Sequence, residues 1–448
     1  MVSYGQNGIL TPKIIDQIRS QVQIQGTDRA ISNALANDEI KTLAFNPIAG
    51  KKEDHYFTYE IKTGKITNQQ KSGRCWLFAS LNMFRPKVMQ KYNLDNFEFS
   101  ENYLYFWHIF EKSNLFLENI IATADKDIYD REVSELFASP VDDGGAWNDF
   151  ANLVKKYGAV PKSVMPETYQ SLHTSLMISL IKEKLRQDGL LLREMVANGK
   201  SKQEIENQKI KMLAEIYRIL VLSLGEPPKQ FQWRYKDKDG NISEYKTYTP
   251  LSFWQEAVNV NPDDYVMFVD DPTREYYKLY DRENERNTVE GINWHYINLP
   301  AKEIKKFALA SLQDSEAMYF SCDVGKYFNP KDGTLDLNNY DYQSVFGVKF
   351  DMNKKQRMLT HQSASTHGMA LVGVDVDKDG KPIKWKLENS WGQDKGHNGF
   401  LTMTDQWFDE YMFRIVIHKK YIDKKILEIL KQKPIKVPYY NPAFKADK

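Results

Sequence analysis

Gln69-Gln70-Lys71-Ser72-Gly73-Arg74-Cys75-Trp76-Leu77-Phe78-Ala79-Ser80-Leu81-Asn82-Met83-Phe84 is the stretch on which the reading of this chain turns. A polar loop with one glycine gives way, at Cys75, to an apolar helical run. The thiol therefore stands in the first turn of a helix, where unpaired backbone N–H groups and the macrodipole favour negative charge. That location stabilises thiolate, the form of cysteine that attacks a carbonyl carbon. A free cysteine is otherwise a small buried hydrophobe, so Cys75 needs partners before it carries chemistry. Pro86 is expected to end or kink the helix, because proline removes a donor and clashes one turn back.

A thiolate nucleophile needs a base, and the base needs an orienting group. The chain offers His55, His108, His173, His295, His361, His367, His397 and His418. His367 opens the apolar strand Thr366-His367-Gly368-Met369-Ala370-Leu371-Val372-Gly373-Val374. After a hairpin turn at Asp379-Gly380 comes Leu387-Glu388-Asn389-Ser390-Trp391-Gly392. Two neighbouring strands place His367 and Asn389 side by side, with the neutral amide fixing the ring tautomer. His361, in a polar loop six residues earlier, is the rival base. The second cysteine, Cys322, reads as a structural strand end without a comparable pair downstream.

The rest of the chain divides by pattern. Helices are expected near 13–20, 28–36, 100–111 (opened by Ser100 as N-cap) and 147–157. From 168 to 225 the sequence is helical, and Leu172, Leu176, Leu180 and Ile181 recur at the spacing of one buried face. Ser201 with Glu204 forms a capping-box pattern, and Gly225 with Pro227-Pro228 ends the helix. Phe231, Trp233 and Tyr235 alternate before an Asp239-Gly240 turn, a hairpin signal. Beyond 264 short strands dominate, at 265–269, 316–322, 368–374, 383–388 and 399–403, with one helix at 301–312.

Composition limits the function classes. The 448 residues carry 61 Lys+Arg against 60 Asp+Glu, a net charge of +1. That balance argues against a general nucleic-acid or membrane-surface binder, which needs a basic excess. With 42% hydrophobic residues the chain has ample material for a large core. Two cysteines rule out a disulfide framework and suit a reducing compartment. The N-terminus has no basic n-region or apolar h-region, and the densest apolar run, 219–224, is far too short to span a membrane. A soluble cytoplasmic protein is expected. No metal-ligand spacing and no phosphate-binding glycine loop is present, so neither metal nor cofactor is expected.

The order Cys, His, Asn resembles papain-like cysteine peptidases, whose ordinary members read C-G-[SA]-C-[WY] and place His and Asn ~130–150 residues later. Here the counterpart is Ser72-Gly73-Arg74-Cys75-Trp76, without the upstream cysteine, and His367 lies about twice as far away. The surplus fits the helical insertion. The joint set narrows the match: residues 70–79, Asp130-Arg131-Glu132-Val133, Asp143-Gly144-Gly145-Ala146-Trp147, the Lys-Lys-Tyr-Gly-Ala-Val-Pro run at 155–161, Gly-Glu-Pro-Pro-Lys at 225–229, the 366–375 strand and Glu388-Asn389-Ser390-Trp391-Gly392. Together they resemble the bleomycin hydrolase family, whose bacterial members are called aminopeptidase C.

The resemblance implies an α+β, two-lobed papain-like fold: a helical lobe, a β-barrel-like lobe, a large helical insertion and a C-terminal arm. The implied divisions are an arm at 1–60, the helical lobe with the nucleophile at 61–167, an assembly insertion at 168–262, the β lobe with His and Asn at 263–430, and a cleft-filling arm at 431–448. It makes Cys75 the nucleophile, His367 the general acid/base and Asn389 its orienting residue. Gln69, rather than adjacent Gln70, would complete an oxyanion hole with the Cys75 N–H. Gly144 and Gly145 would line the substrate backbone, and Trp391 would cover the His–Asn bond. The implied activity is a cytosolic cysteine aminopeptidase on short peptides, assembled as a homohexamer. An endopeptidase on the same scaffold is the nearer alternative and an added nucleic-acid role the farther one. The terminal carboxylate, on Lys448, would pair with the substrate's free α-amino group. The Phe-Lys-Ala-Asp-Lys ending departs from the family's usual small residues and leaves open which residue supplies it.

Overall fold

The computed structural model describes residues 8–48 and 54–438. The Cys75 run forms the helix Cys75–Asn82, and all eight of its residues are buried. A helix apolar on every side belongs inside a core. This one is packed between the helices Glu101–Ala122 and Trp147–Tyr157 and the strand His367–Val376. Gly368 sets how closely strand and helix approach. An added Cβ there would lie 3.3 Å from both Trp76 Cα and the Tyr319 hydroxyl. With no side chain, the strand rests directly on the first helical turn.

Twelve described strands join one sheet. Near its middle Met318–Cys322 runs antiparallel to Met412–His418 on one side and to His367–Val376 on the other. His367–Val376 continues antiparallel into Pro382–Glu388, and that strand into Phe400–Thr404. On the far side Met412–His418 pairs with Tyr265–Val269, followed by Trp294–Asn298 and Lys278–Arg282. The sheet reaches past both limits of the 263–430 segment. Tyr59–Glu60 adds to His367–Val376, and Ile435–Val437 pairs in parallel with Lys278–Arg282. The first residues of the C-terminal arm are thus an edge strand, and residues 439–448 lie outside the described ones.

Several local expectations are corrected. The Cys75 helix stops at Asn82, before Pro86, which instead takes the second position of the helix Arg85–Lys91. There the missing N–H costs nothing and the fixed φ suits a first turn. Ser100 does cap its helix, accepting from the Tyr103 N–H, but the helix runs on through Ala122. The polar residues at 111–114 looked like an end, yet Glu111 and Ser113 are buried and bonded, Ser113 to the Ile109 carbonyl and Glu111 to Lys156.

In the insertion, Ser175–Ala197 and Lys202–Leu224 both pack on Glu101–Ala122, the second opened by a reciprocal Ser201–Glu204 box. The buried face of the first is Met177, Ile178, Ile181, Leu185 and Leu192, whereas Leu176 and Leu180 point to solvent. The expected stripe fails because Leu172 belongs to a separate turn, Tyr169–Leu172, and because the helix meets Glu101–Ala122 through the face of Ile178, Ile181 and Leu185 and not that of Leu176 and Leu180.

Candidate active site

The strand His367–Val376 begins with His367, and its neighbour Pro382–Glu388 ends just before Asn389. Antiparallel pairing brings the two ends together, with Ala370 opposite Glu388. His367 Nε2 lies 2.8 Å from Asn389 Oδ1. The Ser390 backbone N–H donates to the same oxygen at 2.8 Å, which fixes it as an acceptor and Nε2 as the donating nitrogen. Proton exchange with a substrate then falls to Nδ1. Trp391 covers this pair, its ring 4.6 Å from the imidazole at an interplanar angle of 31°. Both His367 and Asn389 are buried. His361 instead stands exposed at φ 62° after the helix Lys354–Leu359.

The sulfur meets the same strand. The N–H of Gly368, the residue after His367, donates to Cys75 Sγ at 3.4 Å. The structure therefore brings residues 293 positions apart in sequence into contact. Cys322 lies directly opposite His367 across the antiparallel pair with Met318–Cys322 and is buried. No sequence pattern marked that proximity.

Gln69 is buried and fastened at both ends of its amide. Its Oε1 accepts from the Ser390 hydroxyl at 2.6 Å, and its Nε2 donates to the Ser72 carbonyl at 2.7 Å. One N–H of the amide remains for another acceptor. Gln70 is exposed, with φ 52°. The structure thus separates two glutamines that the sequence left side by side, and it adds Ser390, a residue sequence reasoning missed. Ser390 ties the oxyanion loop to the Asn389 strand end. Its place directly after Asn389 was the only available signal.

Gly144 and Gly145 belong to the same 61–167 segment as Cys75, and Gly145 lies against the Trp76 ring of its helix. The Gly144 carbonyl accepts from Lys112 Nζ at 2.7 Å and lies 3.2 Å from His108 Nε2. Burial, aided by the nearby Lys112 charge, holds His108 well below the usual imidazole range, so it stays neutral. A Cβ on Gly145 would stand 2.7 Å from the Trp76 ring, so only glycine fits that approach. Arg74, in the motif position where ordinary members carry a small residue, is fully buried and pairs with Glu167 at 2.9 Å. Burial alone would raise the Glu167 carboxyl, but the Arg74 charge and hydrogen bond, with the Ser171 hydroxyl and Lys162, together hold the group below its ordinary range. Among the described residues no cluster of three or more His, Cys, Asp or Glu is arranged to hold a metal, and no helix is long and apolar enough to cross a membrane. Lys448 lies outside the described residues.

The comparisons agree with this geometry. Residues 9–443 match the Peptidase C1-like family. Human bleomycin hydrolase is 38% identical over 99% of this chain and 99% of its own length. Aminopeptidase C of Listeria monocytogenes is 38% identical over 93% of this chain and 95% of its own. The crystal structure of PepW from Lactobacillus rhamnosis superposes with a TM-score of 0.94 at 39% identity, covering 97% of this chain and 98% of that one.

Proposed function

The chain belongs to the peptidase C1-like family and has the papain-like α+β fold, and from that premise we propose that it is a cysteine aminopeptidase releasing N-terminal residues from short peptides, with Cys75 as nucleophile. The observation that carries the residue assignment is the seam at Gly368. It sets the Cys75 sulfur beside a strand whose first residue is an asparagine-oriented histidine.

In acylation the Cys75 sulfur attacks the scissile carbonyl carbon and the carbonyl π pair moves onto oxygen. That oxyanion is held by the second Gln69 Nε2–H and the Cys75 backbone N–H, donors needed only once the charge has formed. Collapse expels the amine, which takes its proton from His367 Nδ1, and leaves a thioacyl-enzyme. Water then attacks, giving a proton to His367, and the thiolate departs. Asn389 keeps the imidazole in the required tautomer throughout. The resemblance gives the substrate backbone to Gly144 and Gly145; with the Gly144 N–H on Asp142 and its carbonyl on Lys112 and His108, that contact falls to Gly145.

The wider setting rests on the family resemblance and on charge balance. It comprises a cytosolic homohexamer assembled through the 168–262 insertion, short peptides as substrates, and a C-terminal arm, outside the described residues, as the gate at the substrate's α-amino group. Matched peptides with free and acetylated N-termini test the proposal. Cleavage confined to the free series supports an aminopeptidase. Equal internal cleavage of both series would make the enzyme an endopeptidase on the same scaffold. Deleting residues 445–448 should admit the acetylated series while leaving Cys75 chemistry intact.

A further inference from the structure

An oxyanion hole works only if its donors are held still before the charge appears, yet the loop 69–75 is irregular backbone with Gln70 at φ 52°. Beyond the Ser390 contacts at Gln69, restraint comes from two places that the reaction itself does not use. The Lys71 N–H donates to the Leu172 carbonyl at 3.0 Å, at the start of the insertion. The Gly73 N–H donates to Asp143 Oδ2 at 3.0 Å. The same carboxylate oxygen accepts from the hydroxyl of Thr174, the N-cap residue of the insertion helix Ser175–Ala197. Its other oxygen accepts from Tyr105 at 2.8 Å. Burial, with the Asp143 charge beside it, pushes the Tyr105 phenol far above its ordinary range, so Tyr105 remains a donor. The Asp143 carbonyl accepts from Trp76 Nε1 at 2.8 Å. An added Cβ on Gly73 would stand 2.7 Å from Asp143 Cβ, so glycine is what lets the carboxylate reach the loop backbone. Asp143 immediately precedes Gly144 and Gly145. One side chain therefore joins the nucleophile loop, the substrate-facing glycines and the first residues of the insertion.

We propose that Asp143, backed by Thr174, is a positioning residue for the oxyanion loop, so that the insertion supports the chemistry as well as any assembly. This rests on the reading of residues 69–75 as the loop presenting the nucleophile and the oxyanion donors. In Asp143→Asn the single amide oxygen can meet either the Gly73 and Thr174 donors or Tyr105, so one arm of the bridge loses its acceptor and the carboxylate charge is gone. Expressed per alkylatable Cys75, kcat should fall about tenfold to thirtyfold with KM within about twofold, less than removing an oxyanion donor outright. Thr174→Val should cost about threefold to fivefold in kcat, and Thr174→Ser should restore it. A peptide aldehyde, whose adduct places an oxyanion in the hole, should lose affinity in step with kcat, while a non-covalent competing peptide should not.

The decisive comparison is a double-mutant cycle. Because Asp143 acts through the hole that Gln69 completes, Asp143→Asn should add little in a Gln69→Ala background. Full additivity would overturn the proposal. So would wild-type kcat in both Asp143→Asn and Thr174→Val, or equal loss of affinity for the aldehyde and the competing peptide. If Asp143→Asn fails to fold, the threonine pair carries the test alone. Retained activity in Cys75→Ala, or no effect of Gln69→Ala, would instead sink the underlying site assignment.

Discussion

The seam between Cys75–Asn82 and His367–Val376 and the helix pair Ser175–Ala197 with Lys202–Leu224 are both rich in apolar residues, but they treat them differently. At the seam every helix residue is buried, a glycine takes the position where a side chain would intrude, and His367 and Gln69 are bonded to Asn389 and Ser390. The insertion buries one face of each helix and leaves Leu176 at 68% and Leu222 at 72% exposed, with Leu180, Leu190, Leu191 and Ile210 also in solvent. A close-packed interior transmits small displacements because it has no slack. A half-covered apolar face has slack and awaits another surface. The seam is therefore where substitutions should alter chemistry, and the insertion's outer face is where they should alter association.

The largest effect is expected at His367. His367→Ala should lower kcat/KM by about 10³-fold or more and Asn389→Ala by less, since asparagine orients the ring rather than transferring the proton. His361→Ala should stay within about twofold on the same scale, because His361 lies outside the buried pair. Steady-state kinetics of the three variants check the order, and a large loss at His361 alone would break it.

Next comes Gly368→Ala. Its new Cβ would press on Trp76 Cα and the Tyr319 hydroxyl at 3.3 Å. The strand must lift from the helix, at about 1–3 kcal/mol of stability, and should take His367 from the sulfur. A melting shift with a larger fall in kcat is expected. A melting shift with unchanged kcat would show that the seam has slack after all.

Changes on the insertion should be milder for chemistry. Leu176→Lys with Leu180→Lys is expected to change protomer stability by less than about 0.5 kcal/mol, since both residues are exposed, while shifting light scattering towards smaller species. A monomeric, fully active wild-type protein would remove the assembly role from this face.

The smallest effect concerns the rings of His55 and His397, stacked 3.5 Å apart at 12°. Burial, then the charges of His397, Lys384 and Lys386, hold His55 below the usual imidazole range, with Asp54 opposing them. The unfolded chain takes up its proton near pH 6.5 and the folded chain only lower. The resulting stability is therefore present above that pH and declines as pH falls through the folded value. His55→Phe should flatten this slight acid-side decline in melting temperature. An unchanged slope would show that the stack does not titrate.

The elements that sequence reasoning missed share one cause. Lys278–Arg282 and Trp294–Asn298 carry Lys, Asp, Arg, His and Asn, the composition of a loop. They are strands because those groups are satisfied at long range. Arg282 lies over the Trp294 ring of the neighbouring strand, and Asn298 bonds the backbone of residues 271, 274 and 275. Met412–His418 was hidden likewise by Arg414, which is buried with its guanidinium 4.3 Å from the Trp294 ring. A buried polar residue with a distant partner carries no local mark.

The sequence by itself determined what short range decides: a helix starting at Cys75, an apolar strand opening with His367, the Ser201–Glu204 box, and the Cys–His–Asn order that resembled one family. Three things were left to the tertiary structure. It gave the residues that the resemblance singled out their surroundings, burying the Gln69 amide between Ser390 and Ser72 with Gln70 exposed, and pairing the His367 ring with Asn389 while His361 stands in solvent. It also turned Leu176 and Leu180 outward, because the helix they share buries the face of Met177, Ile178, Ile181 and Leu185 against Glu101–Ala122. Each choice depends on contacts between residues far apart in the chain, and those energies are written in no single stretch of it.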